Sequence, residues 1–176
     1  MFVAIGYENI NRARANVYMQ CKELGYELIS YISSRSSYWP EFEIGDNCFV
    51  YENNSIHPFV KIGNDVIIGS GNHIGHDTII EDHCFLAGQV MLPGFMHIGA
   101  YSFLGANSTF RDGITIGAGT VIGAGAVILK DTKPGEVYIA DPTRPAPINS
   151  ATIGKLMHSP FFRNKPGREG QSGGNK

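Results

Sequence analysis

From Ile44 to Ile128 every sixth residue is apolar, and the phase never slips: Ile44, Val50, Ile56, Ile62 and onward to Ile116, Ile122 and Ile128. Of these fifteen positions fourteen are aliphatic, the exception being Phe110. In a chain where about half the residues are apolar, such a run arises by chance about 3 times in 100,000. A period of six is a multiple of two, so the repeated side chain always falls on the same face of an extended strand. It is not a multiple of 3.6, so a long helix would spread these side chains around its whole circumference. Eight of the fifteen are followed by glycine, among them Gly63, Gly75, Gly105 and Gly123. Glycine at a fixed place in a strand repeat marks a bend or a close backbone approach. Four positions after each apolar residue the side chain is usually small or β-branched. Short strands joined by tight bends, each burying one aliphatic knob, predict a parallel β-helix built from hexapeptides. Its coils stack and bury a continuous aliphatic ladder.

The runs "IGNDVI IGSGNH IGHDTI IEDHCF" and "IGAGTV IGAGAV ILKDTK" resemble the left-handed β-helix acyltransferases, which carry the hexapeptide [LIV]-G-x-x-x-x. The resemblance implies three hexapeptides to a triangular coil, hence five complete coils over 44–61, 62–79, 80–97, 98–115 and 116–133. The left hand of the helix follows from the resemblance alone, since parallel crossovers are ordinarily right-handed.

The flanks divide the chain into a small α/β cap over 1–40, the β-helix over 41–133 and a C-terminal extension over 134–176. In the first part, "FVAIG" reads as a strand and "YELISYI" as a second strand. Between them "NINRARANVYMQCKELG" reads as a helix with Val17, Met19 and Cys21 near one face and Gly25 as its stop. Strand, helix and strand make one βαβ unit. This unit resembles the end of the small nucleotide-binding domain found in one branch of the family, the bacterial amino-sugar N-acetyltransferases and sialic-acid O-acetyltransferases. The first strand and glycine-rich turn of that domain have no counterpart in residues 1–36; either the substrate grip differs or the chain is a shortened relative. After Lys133, "PGEVYIADPTRPAP" resembles the family's terminal segment with Asp141 where glycine is usual, "SATIGKLMHSPFF" reads as a short amphipathic helix, and the stretch from Arg163 is glycine-rich, polar and expected to be disordered.

Composition narrows the partners. The net charge is −2 with no basic stripe, which argues against nucleic acid. No apolar stretch approaches membrane-spanning length and no signal-peptide pattern is present, so a cytoplasmic protein without a membrane partner is expected. Cys48 and Cys84 share a repeat position two coils apart, roughly 10 Å at the strand spacing, which exceeds disulfide reach. Both read as small core residues, and Cys21 as part of a helix face.

Acyl transfer from a thioester needs a base, a donor for the developing oxyanion and a place for the carrier. Histidine is the natural base near neutral pH. The resemblance assigns that role to His76 in "NHIGHDTII", with Asp77 as its acidic partner if the pair lies at a coil corner. His73 is the second choice for base, lining the same cleft with Asn72 on the substrate side. Phe85 stands where some relatives carry a further histidine and is read as substrate-binding; His83 lies two residues out of that register. Gly94, eighteen residues after His76, corresponds to the family position whose backbone N–H meets the thioester carbonyl. Acetyl-CoA, the implied co-substrate, would lie along the groove between subunits, with Ala106 and Ala124 leaving room for its arm. Lys130, Lys133 and Arg144 would face its phosphates. No trio of histidines has the spacing of a β-helical zinc site, and no phosphate-binding glycine loop is present.

These features point to an acetyl-CoA-dependent acetyltransferase acting on the amine of a nucleotide-linked amino sugar in surface-polysaccharide synthesis, assembled as a homotrimer. A sugar O-acetyltransferase and a non-catalytic β-helical binding module are the alternatives.

Overall fold

A computed structural model describes residues 1–157. Met1–Ala140 forms one compact unit, and a second begins at Asp141. In the first unit eighteen two-residue strands wind into three parallel sheets that form the faces of a prism. Face A carries seven strands, from Tyr31–Ile32 to Val137–Tyr138; face B carries six, from Ser37–Tyr38 to Val127–Ile128; face C carries five, from Glu43–Ile44 to Thr115–Ile116. On each face a strand pairs with the strand one coil away, as in Phe49↔Ile67, Ile67↔Phe85 and Phe85↔Phe103.

The knobs of the repeat fill the inside. Ile56, Ile68, Ile74, Leu86, Leu92, Ile98, Leu104, Ile116 and Ile122 have no solvent-exposed surface. The glycines that follow the knobs serve close approach rather than bending. A Cβ on Gly75 would collide with the Pro93 carbonyl oxygen of the next coil, and one on Gly105 would lie 2.5 Å from the Ala124 nitrogen. The bends fall two residues later. There Asn47, Asn53, Asp65, Asp77, Asn107, Gly113 and Gly119 adopt left-handed backbone with φ between 53° and 68°, a conformation that Gly, Asn and Asp reach most cheaply. Three stacked corners run along the prism.

The β-helix begins earlier than the repeat suggests and comprises about six coils, not five. Tyr31–Ile32 pairs with Phe49–Val50, and Ser37–Tyr38 with Ser55–Ile56. Ile32 and Tyr38 continue the phase of Ile44, but they lack the glycine that made later coils visible. The last turn is two residues shorter, because Val121 pairs with Val137. Pro134 stands where the next knob is due.

The expected βαβ unit reduces to one helix, α1 (Arg12–Glu23), between two extended segments. The first segment forms no ladder: the Val3 N–H donates to the Asn47 side chain at 2.8 Å, and the Ile29 N–H donates to the Met1 carbonyl. The second predicted strand belongs to face A. On α1 the buried residues are Arg14, Ala15, Tyr18 and Cys21, whereas Met19 is 50% exposed. Steps of three and four share a helix face and steps of two do not, so Met19 leaves the expected stripe. Gly25, at φ 78°, ends the helix.

A buried polar network fastens α1 to the corner between faces C and A. The Arg14 guanidinium donates to Asp65 Oδ1 at 3.1 Å and to the carbonyls of Gly6, His83 and Cys84. Asp65 also receives the Asn47 amide at 2.7 Å and meets His83 Nδ1 at 2.8 Å. Burial pulls Arg14 below its ordinary value while Asp65 works against that shift. Cys48 and Cys84 are free thiols in the core, each pushed up to about 12 by burial.

In the second unit α2 spans Ser150–Met157. His158, the end of the expected amphipathic segment and the glycine-rich stretch lie outside the described residues.

Candidate active site

His76 and Asp77 occupy the corner between faces B and C. Adjacent residues of a strand point to opposite faces, but the left-handed backbone of Asp77 (φ 57°) turns its side chain back toward its neighbour. His76 Nδ1 lies 2.9 Å from Asp77 Oδ2, with both side chains roughly half exposed (49% and 42%). Donation from Nδ1–H to the carboxylate leaves Nε2 as the free, basic nitrogen.

One coil on, the Phe95 N–H donates to the His76 carbonyl at 2.9 Å, so Gly94 and Phe95 stack beside His76 and Asp77. A Cβ on Gly94 would sit 3.2 Å from His76 Nε2 and 3.3 Å from Cε1. The free nitrogen therefore lies over the glycine, and among the described residues no acceptor takes the Gly94 N–H. The Phe95 ring stands perpendicular to the imidazole, with centroids 4.7 Å apart. A base nitrogen, a carboxylate that fixes its tautomer and a free backbone donor thus meet at one point on the surface.

Other expected residues are distributed around the prism. His73 is on face B next to His57, with ring centroids 4.6 Å apart; burial, and then the neighbouring His57, push it below its ordinary value. Asn72 is inside the coil, not in the cleft. Its amide donates to Asn54 Oδ1 and the Gly69 carbonyl, and its oxygen accepts from the Val90 N–H. Ala106 and Ala124 stack at the corner between faces A and B, where the Gly125 N–H donates to the Ala106 carbonyl at 2.8 Å. They continue a row of small residues, a trench in side-chain size alone, through Gly69–Ser70, Ala87–Gly88 and Gly105. Lys130 is exposed beyond Ile128, on the same edge as His76 and further along the axis. Arg144 is an exposed residue of the second unit.

Phe85 is on face A, away from the His76 corner. It stacks on Phe103 at 5.5 Å and meets Tyr7 edge-on at 5.0 Å. With Tyr7, Phe49 and Tyr51 it walls a groove of about 680 Å³ floored by Gly69 and Gly88. His83 is committed to the α1 network. Sequence reasoning overlooked Phe59 and Phe95, whose signal was a large ring at a repeat position otherwise held mostly by Asn, Asp or Gly.

A family model described as bacterial transferase hexapeptide (six repeats) matches residues 43–76, 59–94 and 95–130. The chain belongs to this family. Among solved structures similar to this hexapeptide transferase is PerB from Caulobacter crescentus, in complex with CoA and GDP-perosamine. It is 30% identical with a TM-score of 0.76, over 81% of this chain and 68% of PerB. Another is the acetyltransferase domain of PglB from Neisseria gonorrhoeae in complex with acetyl coenzyme A, 26% identical with a TM-score of 0.72 over 77% of this chain and 66% of that domain. No match to a curated protein sequence reaches significance. No helix among the described residues of the hexapeptide transferase is long and apolar enough to cross a membrane.

Proposed function

We propose that the protein is an acetyl-CoA-dependent N-acetyltransferase whose acceptor is the amine of a nucleotide-linked amino sugar, a building block of surface polysaccharide. The observation that carries this reading is His76 Nε2 suspended over Gly94 with Nδ1 held by Asp77. The relatives support the substrates, since PerB is seen with CoA and GDP-perosamine and the PglB domain with acetyl coenzyme A.

In this reading the acceptor amine attacks the thioester carbonyl and His76 Nε2 takes the proton it loses. The Gly94 N–H donates to the oxygen on which negative charge develops, as a preorganised oxyanion donor does. The proton then passes from His76 to the departing coenzyme A sulfur, which restores the base. Asp77 stabilises the imidazolium between these two transfers. Ala106 and Ala124 leave room for the pantetheine arm of the carrier, and Lys130 supplies charge for its phosphates. The aromatic groove beside Phe85 suits a planar nucleobase.

His76 and the pair Ala106–Ala124 stand at opposite edges of face B, so a site that contains both takes them from two chains. This supports a homotrimer with a site in each cleft between protomers. A cytoplasmic location accords with acetyl-CoA as the donor.

The test is acetyl transfer to GDP-perosamine, followed by release of coenzyme A thiol. A general base contributes about 10²–10⁴ in rate, so His76→Ala should lower kcat by that factor and leave a residue of activity. An unchanged kcat in His76→Ala would remove the assignment.

A further inference from the structure

Four corner residues with left-handed backbone carry rings: Phe59, His83, Phe95 and Tyr101. Two are explained by the docking of α1, because His83 binds Asp65 and the Arg12 guanidinium lies 5.0 Å from the centre of the Tyr101 ring. Phe59 and Phe95 have no such reason. Both rings are exposed, at 56% and 63%. Both hold a conformation that costs a bulky residue more than it costs Asn or Gly. They also belong to one stack, in which the Asp77 N–H donates to the Pro58 carbonyl and the Phe95 N–H to the His76 carbonyl. Phe59 is therefore one coil before the His76–Asp77 pair and Phe95 one coil after it. Exposed apolar surface and backbone strain both disfavour the free protein, and strain of this kind gathers where a ligand is held.

The two sides differ in chemistry. On the Phe95 side is the free Gly94 N–H, so a carbonyl that accepts from this donor passes the edge of the Phe95 ring. On the Phe59 side are Pro58 and the touching imidazoles of His57 and His73. An aromatic face beside two imidazoles suits a sugar ring, whose C–H face stacks on an arene while its hydroxyls hydrogen-bond.

We propose that Phe59 and Phe95 are two aromatic jaws that hold the substrates against His76: Phe95 packs on the thioester end of the carrier, and Phe59 stacks on the apolar face of the acceptor sugar ring. The assignment rests on the function proposed above and adds the residues that select the acceptor, an amino sugar with one ring face free of hydroxyls. Phe95 also sets the plane of the imidazole through their perpendicular contact.

Asparagine is at ease in left-handed backbone, so Phe59→Asn and Phe95→Asn separate a binding role from a structural one. In the full-length chain both variants should melt at or above the wild-type temperature and keep its oligomeric state. Calorimetric titration with coenzyme A should show Kd raised at least fivefold in Phe95→Asn and restored by Phe95→Tyr. With GDP-perosamine as acceptor, Phe59→Asn should raise KM about tenfold, with the effect on KM rather than kcat. Wild-type Kd and KM in these variants overturn the proposal. So does a lower melting temperature or a dissociated oligomer, either of which would make the rings part of an interface or of the fold. A wild-type enzyme that binds coenzyme A yet transfers nothing to GDP-perosamine counts against the acceptor class, and with it the Phe59 jaw. The coenzyme A titration then decides the Phe95 jaw independently.

Discussion

At the scale of single residues, the space that a side chain on Gly94 would fill is closely bordered by the His76 imidazole. A Cβ there would lie 3.2 Å from Nε2 and 3.3 Å from both Cε1 and the His76 carbonyl oxygen; the exposed ring can yield by a few tenths of an ångström, and the backbone contact is only slightly tight. Gly94→Ala is therefore expected to leave the melting temperature within a few degrees of wild type. It displaces His76 from the acceptor amine of the proposed reaction, however, and misplacements of catalytic groups by up to about 1 Å cost up to about a hundredfold in rate. Steady-state kcat of Gly94→Ala should fall by about that factor, and activity within twofold of wild type would contradict the role given to this contact. Gly75 is a different case. Its Cβ would strike a backbone carbonyl that cannot move without shifting a coil.

At the scale of elements, α1 adheres to the β-helix through a polar core rather than an apolar one. Removing one member of a buried, hydrogen-bonded ion pair costs about 3–5 kcal/mol, because the other charge is left buried. Arg14→Met should destabilise by that amount in urea denaturation, with Asp65→Asn somewhat milder. The double variant should fall short of the sum by about 1–3 kcal/mol, as contacting groups do; strict additivity would show that the two side chains act independently. This element also marks where the sequence ceased to be readable. The aliphatic ladder was visible because the repeat fixes which residues stack; His76 and Asp77 were singled out by the resemblance alone, and a step of eighteen then maps residue 76 onto residue 94. No period relates Arg14 to Asp65 or His83, fifty-one and about seventy residues away. The helix face was misjudged for a related reason: the apolar residues suggested a stripe, whereas the buried side is organised around an arginine. Asn72, expected on the substrate side of the cleft, is instead used by the coil interior to satisfy backbone groups.

For the whole molecule, one edge of face B carries His76, the proposed base, and the other carries the small residues Ala106 and Ala124, the trench proposed for the carrier. A protomer defective at one edge keeps the other intact. Ala124→Trp would fill the trench and His76→Ala would remove the base, and each homogeneous variant is expected to be nearly inactive. Mixed assemblies formed by co-expression or subunit exchange should recover activity, since some clefts then pair an intact trench with an intact His76. Absence of recovery, in mixtures verified to contain both chains, would place the working site within one protomer.

A parallel β-helix contains no internal signal for stopping, because every terminal rung offers unpaired amides to whatever strand arrives next. Such an edge invites end-to-end growth into fibres. In this protein the closing turn omits two residues and brings Pro134, which has no amide hydrogen to offer, to the place of the next knob, while face C ends a rung early at Thr115–Ile116. The shortened turn thus works as a stopper: a second molecule arriving at that end finds no complete triangular template on which to polymerise.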